Sequence, residues 1–376
     1  MQNFKEILIS FCFCQTLFLT LALNEHNLEL TSNIAPVNSK AYNVNVWNLT
    51  NGELKYSFSG HSDRVSSLAK LSGNLLASTA LDNSILIWNL TSGKLEFNLT
   101  GHSDYVIKLV ALENNLLASA STDNTVKVWN LTMGQLKYTF NDQSNTMETI
   151  AALDDSLLAT ASLQKTVCIW DLTSGELKFN LTGHTDWILT LAKLDQNLLA
   201  TGSQDCSVLV WSLSTSGKLL FNLTGHSRWV ITMVKLEDNL LASRSFFEMI
   251  IWNVTSGTQK FSQSLGYSVA YPAMANLKSN LLAVANTFSY NSIEIWNVTS
   301  ESVFSTVTGD YRSIVQLASL DYSLLASGGI GPSVCVWNVT SGELKYLLNY
   351  EDNSFLAALN ENLLASAKGF TYSFGV

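Results

Sequence analysis

Charged residues and prolines are scarce in this sequence, and both shortages restrict the kind of protein it can encode. Of 376 residues, 14% are Asp, Glu, Lys or Arg, and only 3 are proline. Globular domains usually contain about 25% charged residues, so most segments of this chain are expected to be buried. A hydrophobic content of 47% also argues against intrinsic disorder. The composition therefore predicts a folded protein with a large core.

Positive charge is scarcer than negative charge. The sequence has 21 Lys and Arg against 30 Asp and Glu, which gives a net charge of −9, and it contains no basic run. Nucleic-acid-binding proteins usually concentrate Lys and Arg on one surface, because contacts to phosphates supply much of their affinity. We therefore expect no nucleic-acid partner.

Motifs for metal binding and catalysis are missing. The five cysteines, Cys12, Cys14, Cys168, Cys206 and Cys335, form no CxxC pair and no Cys/His spacing typical of zinc. The sequence also lacks a GxxxxGK phosphate loop, an HExxH motif and a nucleophile elbow. We therefore predict no metal, no cofactor and no enzymatic activity.

What the sequence does contain is a repeat of about 41 residues. Tryptophan recurs at that interval, with one interval of 44, at Trp47, Trp88, Trp129, Trp170, Trp211, Trp252, Trp296 and Trp337. Within one unit, VSSLAKL, LLAST and ILIWNL predict three short strands separated by turns rich in Ser, Gly, Asn and Asp. KLEFNLT predicts a fourth strand, whose alternation directs Leu95, Phe97 and Leu99 inward.

Four strands in each period of roughly 40–45 residues is the pattern of β-propeller blades around a channel. The sequence therefore predicts an all-β protein, a β-propeller of four-stranded blades. We adopt eight blades, with nine blades or an incomplete ring as alternatives.

The unit resembles the WD repeat, and the resemblance covers nearly the whole chain. Gly-His occurs at 60–61, 101–102, 183–184 and 225–226, and the tryptophan at the other end of the unit is followed by Asp once and mostly by Asn. WD repeats commonly contain a hydrogen-bonded set of His, Ser or Thr, Asp and Trp. The resemblance implies three complete sets: His61, Ser78, Asp82 and Trp88; His102, Ser119, Asp123 and Trp129; and His184, Thr201, Asp205 and Trp211.

A His–Asp–Ser combination also occurs in hydrolases, but an enzyme needs one such site with a substrate pocket, whereas in this chain it recurs in several units. We interpret the sets as structural. Other units lack one or more residues of the set. The fourth has Gln143 and Gln164 at the His and Asp positions, and the eighth has Asp310 and Gly331 there. The seventh has Val284 on its second strand, and the sixth lacks the Asp. We therefore expect blades six to eight to be the softer part of the ring.

Residues 1–23 allow two interpretations. Residues 7–23 are apolar and end in small residues, which is typical of a signal peptide cleaved after Ala22. The same segment also runs in phase with the repeat, since EILISF (6–11) aligns with ELKYSF (53–58), which indicates a degenerate first repeat. The segment is too short and too polar to predict a membrane span, so no membrane insertion is expected.

Residues 24–376 are assigned to a single propeller, expected to be monomeric, in which residues 354–376 supply the strands that close the ring. Nine N-x-T sequons occupy only two positions of the repeat: Asn48, Asn89, Asn130, Asn253, Asn297 and Asn338 after the tryptophan, and Asn98, Asn180 and Asn222 on the outer strand. They are copied with the repeat and say little about secretion. An odd set of three cysteines within the repeats favours a reducing compartment, so we predict cytoplasmic localisation. The alternative, if residues 1–22 are a signal, is a secreted or cell-surface glycoprotein that recognises an extracellular ligand.

Function is predicted on the face that carries the Gly-His loops, because the faces of WD propellers bind other proteins. The third residue after the histidine varies between otherwise similar units and is large in four of them: Arg64, Tyr105, Trp187 and Trp229. Arg228 flanks this position, and the turns before the Asp position add Leu81, Leu163 and the pair Phe246 and Phe247. Together they predict an apolar arc across blades two to six. The predicted function is a non-enzymatic interaction scaffold that binds other proteins or peptides.

Overall fold

The computed structural model describes residues 42–368, apart from 142–146, 155, 163–164, 196, 215–216, 266–272, 278, 287–291, 309–312, 321–322, 331–332 and 350–354. The described residues form 32 β-strands, arranged as eight four-stranded antiparallel sheets. Each sheet is one blade. The innermost strands of neighbouring blades contact one another in a closed cycle, so the blades form a ring. The predicted all-β propeller of eight four-stranded blades is confirmed.

Each blade has one strand at each of four positions, from the innermost to the outermost. At each position the strands are given in order from blade two to blade eight, followed by blade one. The innermost strands are β3 (Val65–Lys70), β7 (Val106–Leu112), β11 (Met147–Ala152), β15 (Ile188–Asp195), β19 (Thr232–Lys235), β23 (Met274–Asn276), β27 (Ser313–Ser319) and β31 (Phe355–Asn360). The second strands are β4 (Leu75–Ala80), β8 (Leu116–Ser121), β12 (Leu157–Ser162), β16 (Leu198–Ser203), β20 (Leu240–Arg244), β24 (Leu281–Asn286), β28 (Leu324–Ile330) and β32 (Leu363–Ala367). The third strands are β5 (Ile85–Asn89), β9 (Thr125–Asn130), β13 (Thr166–Asp171), β17 (Ser207–Ser212), β21 (Glu248–Asn253), β25 (Ser292–Asn297), β29 (Ser333–Asn338) and β1 (Val44–Asn48). The outermost strands are β6 (Lys94–Leu99), β10 (Gln135–Asn141), β14 (Glu176–Thr182), β18 (Lys218–Thr224), β22 (Thr258–Ser264), β26 (Ser302–Thr308), β30 (Leu344–Asn349) and β2 (Glu53–Phe58).

Blade one joins the two ends of the described chain. Its strand order is β2-β1-β32-β31, so the outer two strands come from one end and the inner two from the other. The indole Nε1 of Trp47 donates to Ser366 Oγ at 2.9 Å across this junction. The hydroxyl of Tyr346 in blade eight donates to the carbonyl of Thr50 at 3.0 Å. The eight blades are complete within residues 44–367, and residues 1–23 lie outside the described part of the chain.

The core lies between blades, because each sheet buries both faces against its neighbours. The third strands are therefore apolar on both faces: in β5, Ile85, Leu86, Ile87 and Trp88 are at most 3% exposed. Trp88 stacks on Phe58 of the preceding blade, with ring centroids 4.8 Å apart. One hydrophobic cluster joins blade one to blade two in this way.

The outermost strands do not alternate as the sequence predicts. A bulge pairs Trp88 with Leu95 and Ile87 with Phe97, so one residue of the outer strand is extra. Leu95 is 48% exposed, so the prediction that it points inward is wrong, whereas Leu99 is buried. A register shift occurs at this position in all eight blades. Bulges of this kind blunt an edge strand against pairing with another chain.

In six of the blades the glycine in the turn before the outer strand packs closely on a side chain of the neighbouring blade. Gly93 has a φ of +69°, which favours glycine, and a Cβ at this position would lie 2.7 Å from Tyr56 Cε1. The hydroxyl of Tyr56 donates to the carbonyl of Thr91 in the same turn at 3.4 Å. The outer parts of the blades are therefore held together by close turn-to-ring packing as well as by the core.

Candidate interaction face

Four side chains in blade two tie the Gly-His loop to the body of the blade. His61 Nδ1 lies 3.1 Å from Asp82 Oδ2, and His61 Nε2 lies 2.7 Å from Ser78 Oγ. The indole Nε1 of Trp88 donates to the same Ser78 oxygen at 2.8 Å. Since a carboxylate only accepts and the indole only donates, His61 carries its proton on Nδ1 and the Ser78 hydroxyl donates to Nε2. Every polar atom of the set therefore has a partner.

The same geometry recurs in blades three and five. The His–Asp, His–hydroxyl and Trp–hydroxyl distances are 2.8, 2.8 and 2.9 Å in blade three and 2.8, 2.7 and 3.0 Å in blade five. The sets are His102, Asp123, Ser119 and Trp129, and His184, Asp205, Thr201 and Trp211.

The carboxylate in each set remains ionised. Burial alone would raise the pKa of Asp82, but hydrogen bonds from His61, Ser84 and the backbone of Ser62 outweigh it and hold that pKa well below its ordinary value. An equivalent balance depresses the pKa of Asp205. Each Asp is therefore a fixed negative charge at neutral pH.

In blade three the pKa values of both the aspartate and the histidine are lowered. Burial raises the pKa of Asp123, and hydrogen bonds from Thr125, from the backbone of Ser103 and from His102 lower it further than burial raises it. Burial lowers the pKa of His102 despite the nearby carboxylate, so the imidazole stays neutral and can accept from Ser119. The imidazoles of the three sets are at most 1% exposed, and their hydroxyl residues are fully buried. The imidazoles and hydroxyls of the sets are therefore enclosed within the blades.

Blade six keeps an acidic partner that the sequence pattern does not reveal. His226 Nε2 lies 2.6 Å from Ser243 Oγ, which also accepts from the indole of Trp252 at 2.7 Å. His226 Nδ1 lies 3.4 Å from Glu248 Oε1, which accepts from the backbone of Ser227 at 2.6 Å. Burial raises the pKa of Glu248, and these groups lower it below its ordinary value. Blade six lacks the Asp, as the sequence indicates, and the longer Glu248 side chain comes close to the vacated position, although His226 Nδ1 makes no hydrogen bond to it in the described structure.

Blade seven replaces the missing hydroxyl with a carboxylate. Val284 stands where the other units have Ser or Thr, and the indole of Trp296 donates instead to Glu294 Oε2 at 3.0 Å. The amide of Asn286 donates to the other oxygen of Glu294 at 3.1 Å. In blades four and eight the indoles donate to Thr160 and Ser327 in the usual way. Gln143, Gln164, Asp310 and Gly331 lie outside the described residues.

The predicted arc residues lie immediately before the innermost strands, on the face of the Gly-His loops. Tyr105 is 46% exposed and Trp187 is 38% exposed, while Arg64 and Arg228 are exposed and Trp229 is half-buried. Of the two leucines predicted with them, Leu81 is half-buried and Leu163 lies outside the described residues.

The backbone of the arc is held from two sides. The carbonyls of Arg64, Tyr105 and Trp187 accept N–H bonds of 2.8 to 2.9 Å from the turns that follow the second strands. On the other side, the preceding aspartate accepts the N–H of the arc residue, at 2.9 Å for both Tyr105 and Trp187. These rings are therefore exposed side chains on fixed backbone.

Blade six builds its part of the arc differently. Phe246 is only 4% exposed and packs beneath Trp229, with ring centroids 6.4 Å apart. Phe247 follows it at 6.5 Å and is half-buried. The prediction that Phe246 belongs to an exposed surface is wrong. Its role is to support Trp229 from below.

Carboxylates surround the arc, a feature that the sequence pattern could have revealed. In three Gly-His loops an aspartate directly precedes the arc residue: Asp63, Asp104 and Asp186. Each is half-exposed, and one oxygen accepts the N–H of the next residue. Counting charges in the repeated loops would have shown that the arc is acidic as well as aromatic.

Two other features bear on the kind of site present. Within the described ranges, no group of three or more His, Cys, Asp or Glu side chains could hold a metal ion. The part of the chain that the structure describes also contains no helix long and apolar enough to cross a membrane. Of the sequons, Asn89 uses its side-chain oxygen to accept the N–H of Thr91 and Ser92.

Comparison with known proteins agrees with the geometry. Three segments match the family model described as WD domain, G-beta repeat, at residues 52–89, 93–130 and 175–212. These are the segments that contain the three complete His–Asp–hydroxyl–Trp sets. Among solved structures, the crystal structure of the computationally designed Ika8 protein is 22% identical, with a TM-score of 0.72, and the match covers 82% of this chain and 95% of that one. That likeness shows a shared fold. No curated protein matches the chain.

Proposed function

We propose that this chain, a WD-repeat β-propeller, is a non-enzymatic scaffold that binds a protein or peptide partner through the face carrying its Gly-His loops. Propellers of this family generally serve as protein-interaction scaffolds. The observation that carries the proposal is the set of exposed aromatic rings, Tyr105 and Trp187, on backbone that is hydrogen-bonded from both sides.

Exposed aromatic rings in fixed positions suit an interface. Trp, Tyr and Arg are enriched among the residues that contribute most to protein–protein affinity. A ring on rigid backbone loses little conformational freedom when a partner binds, so less of the contact energy is lost to ordering. Arg64, Tyr105 and Trp187 occupy the same position in blades with the same hydrogen-bonded sets, so the fold requires none of them. Their variation at one position supports a role in recognition.

A scaffold also fits the state of the polar groups. The imidazoles and hydroxyls of the sets are buried and use their hydrogen-bonding capacity within the blade, which suits a structural role better than chemistry on a bound molecule. The bulged outer strands favour a monomeric propeller, because they blunt pairing between edges.

We also propose that the protein works in the cytoplasm. The repeats contain an odd set of three cysteines, Cys168, Cys206 and Cys335, which suits a reducing compartment. The alternative, a secreted glycoprotein, is favoured by the exposure of Asn98, Asn180 and Asn222 on the outer strands. N-terminal sequencing of the native protein discriminates between them. A chain that starts at Leu23 contradicts the cytoplasmic proposal, and one that retains the first residues supports it.

The scaffold proposal is tested by affinity purification from the native cell. We expect the double variant Trp187→Ala/Trp229→Ala to lose partners that the wild-type protein retains. The matched control is Leu95→Ala/Leu177→Ala, which removes two side chains of similar exposure, 48% and 46%, from the outer strands. Circular dichroism establishes that each variant is folded. Retention of every partner by the tryptophan variant contradicts the proposal.

A further inference from the structure

Carboxylates outnumber cations on the Gly-His face within the described residues. The Gly-His loops contribute Asp63, Asp104 and Asp186, and the turns after the second strands contribute Asp82, Asp123, Asp205 and Glu248. The described cations in the loops and turns of this face are Arg64 and Arg228, together with Lys165 and Lys368 in the turns of blades four and one. Since hydrogen bonds lower the pKa of each of the four carboxyls in the turns, these charges persist at neutral pH. A surface of this composition has a negative potential that attracts cationic segments.

An exposed ring and a carboxylate belong to consecutive residues at two points of this face. Asp104 directly precedes Tyr105, and Asp186 directly precedes Trp187. In each aspartate Oδ1 accepts the N–H of the following residue, and within the described part of the chain no other hydrogen bond to either side-chain carboxylate is present. A cation over an aromatic face is attracted by the ring, and a neighbouring carboxylate adds a full charge. Each pair is therefore suited to a Lys or Arg side chain.

Charged groups of blades five and six act on one thiol, Cys206. Burial raises the pKa of the Cys206 thiol, and the carboxylates of Asp205, Glu248 and Asp186 raise it further, while Arg228 opposes them. Each of these charged groups therefore lies near the Cys206 thiol. Negative charge thus extends across the boundary between the two blades, next to Trp229.

The channel itself is less suited to a cation. Lys108 lies on the innermost strand β7, and its side chain is exposed. A second cation in the channel would be repelled by it. A cationic segment is therefore expected to lie across the loops and not to enter the channel.

We propose that the partner segment bound by this face is basic, with Lys or Arg side chains over the rings of Tyr105 and Trp187 and paired with Asp104 and Asp186. This inference rests on the proposed scaffold function and adds the chemistry of the partner.

The test measures binding of three fluorescein-labelled peptides by fluorescence anisotropy at low ionic strength. The probes are tandem repeats of Arg-Ser-Lys-Ser, of Glu-Ser-Asp-Ser and of the uncharged Gln-Ser-Asn-Ser. We expect wild-type protein to bind the basic probe most tightly, with an affinity that falls as salt is added. The variant Asp104→Lys/Asp186→Lys is expected to bind the basic probe with an affinity about tenfold lower, because it loses two ion pairs that each contribute about two- to fivefold to the affinity. It is also expected to bind the acidic probe more tightly than wild type does.

A matched control makes the same change of charge elsewhere. Glu176→Lys/Glu343→Lys reverses two exposed carboxylates on the outer side of the ring, and we expect it to leave the preference for the basic probe intact. A reversal of preference in the loop variant alone supports the proposal, and loss of folding cannot produce it. An equal effect of both variants shows that net charge is responsible and overturns the proposal.

The two proposals fail in different ways. If wild type binds the uncharged or acidic probe at least as well as the basic one, or binds none of the three, the assignment of a basic segment is overturned. The scaffold function is then judged by the double tryptophan variant alone. If that variant also retains every native partner, both proposals fail.

Discussion

Ser78→Ala offers a direct test of how much the buried hydrogen-bonded sets contribute to the stability of the ring. The Ser78 oxygen serves two partners, His61 Nε2 at 2.7 Å and Trp88 Nε1 at 2.8 Å, and all three residues are buried. Removing it leaves one buried acceptor and one buried donor without a partner. At about 1–3 kcal/mol for each unsatisfied group, the expected loss in the free energy of unfolding is about 2–6 kcal/mol.

Blade one supplies the internal comparison. Ser366 accepts from Trp47 Nε1 at 2.9 Å, and no histidine contacts Ser366 in the described residues, so Ser366→Ala removes one hydrogen bond and is expected to cost about 1–3 kcal/mol. Ser262→Ala, on the exposed side of β22, is expected to change stability by less than about 0.5 kcal/mol. The assay is urea unfolding followed by tryptophan fluorescence, with amide hydrogen exchange to show whether opening is confined to one blade. Equal losses for Ser78→Ala and Ser366→Ala would refute the claim that the histidine contact stabilises blade two.

Three further predictions concern turns, pH and the unequal blades. Gly93→Ala should lower the free energy of unfolding by about 1–3 kcal/mol, because its φ is +69° and the new Cβ would lie 2.7 Å from Tyr56. Gly73→Ala is the control, because Gly73 has a similar φ of +66° but nothing within 4 Å of the new Cβ, and it should cost less. Equal costs in thermal unfolding would show that the clash with Tyr56 contributes nothing. Asp82 and Asp205 have lower pKa values in the folded state than in the unfolded state, where the pKa is about 4, so their contribution to stability is complete above about pH 4 and is lost as the pH falls towards the folded-state pKa values. Asp82→Asn/Asp205→Asn should therefore flatten the pH dependence of the free energy of unfolding below about pH 4. An unchanged slope in acid titrations would contradict this. Backbone amides of β24 in blade seven should exchange with solvent faster than those of β16 in blade five. In blade five Thr201 on the second strand accepts from the indole, whereas Val284 at the same position of blade seven cannot. Equal protection in hydrogen-exchange mass spectrometry would count against a stabilising role for the sets.

The periodic part of the sequence predicts the architecture well. Tryptophan recurs at a fixed spacing, which indicates that each one has the same place in its blade. This spacing is enough to predict that Trp88 and its equivalents lie on buried third strands. Leu95 could not be placed correctly, because a bulge adds one residue to the outer strand and period-two alternation fails beyond it.

The unequal units were harder to interpret, for identifiable reasons. Glu248 was missed because blade six is one residue shorter, so its acid stands outside the expected position and comes close to it only through a longer side chain. Phe246 was assigned to the surface because a turn usually exposes its residues, whereas in blade six the ring fills space beneath Trp229. The exposure of Tyr105 and Trp187 agrees with the expectation from their position, but binding at this face remains a prediction.

The central claim, that the Gly-His face binds a partner, is tested most directly by site-specific photo-crosslinking in the native cell. Replacing Trp187 with benzoylphenylalanine puts a reactive group in the arc, and the same replacement of Leu177 puts one on the outer strand at similar exposure, 46% against 38%. We predict a discrete crosslinked protein from position 187 and none from position 177. A crosslink from position 177 with none from position 187 would contradict the account.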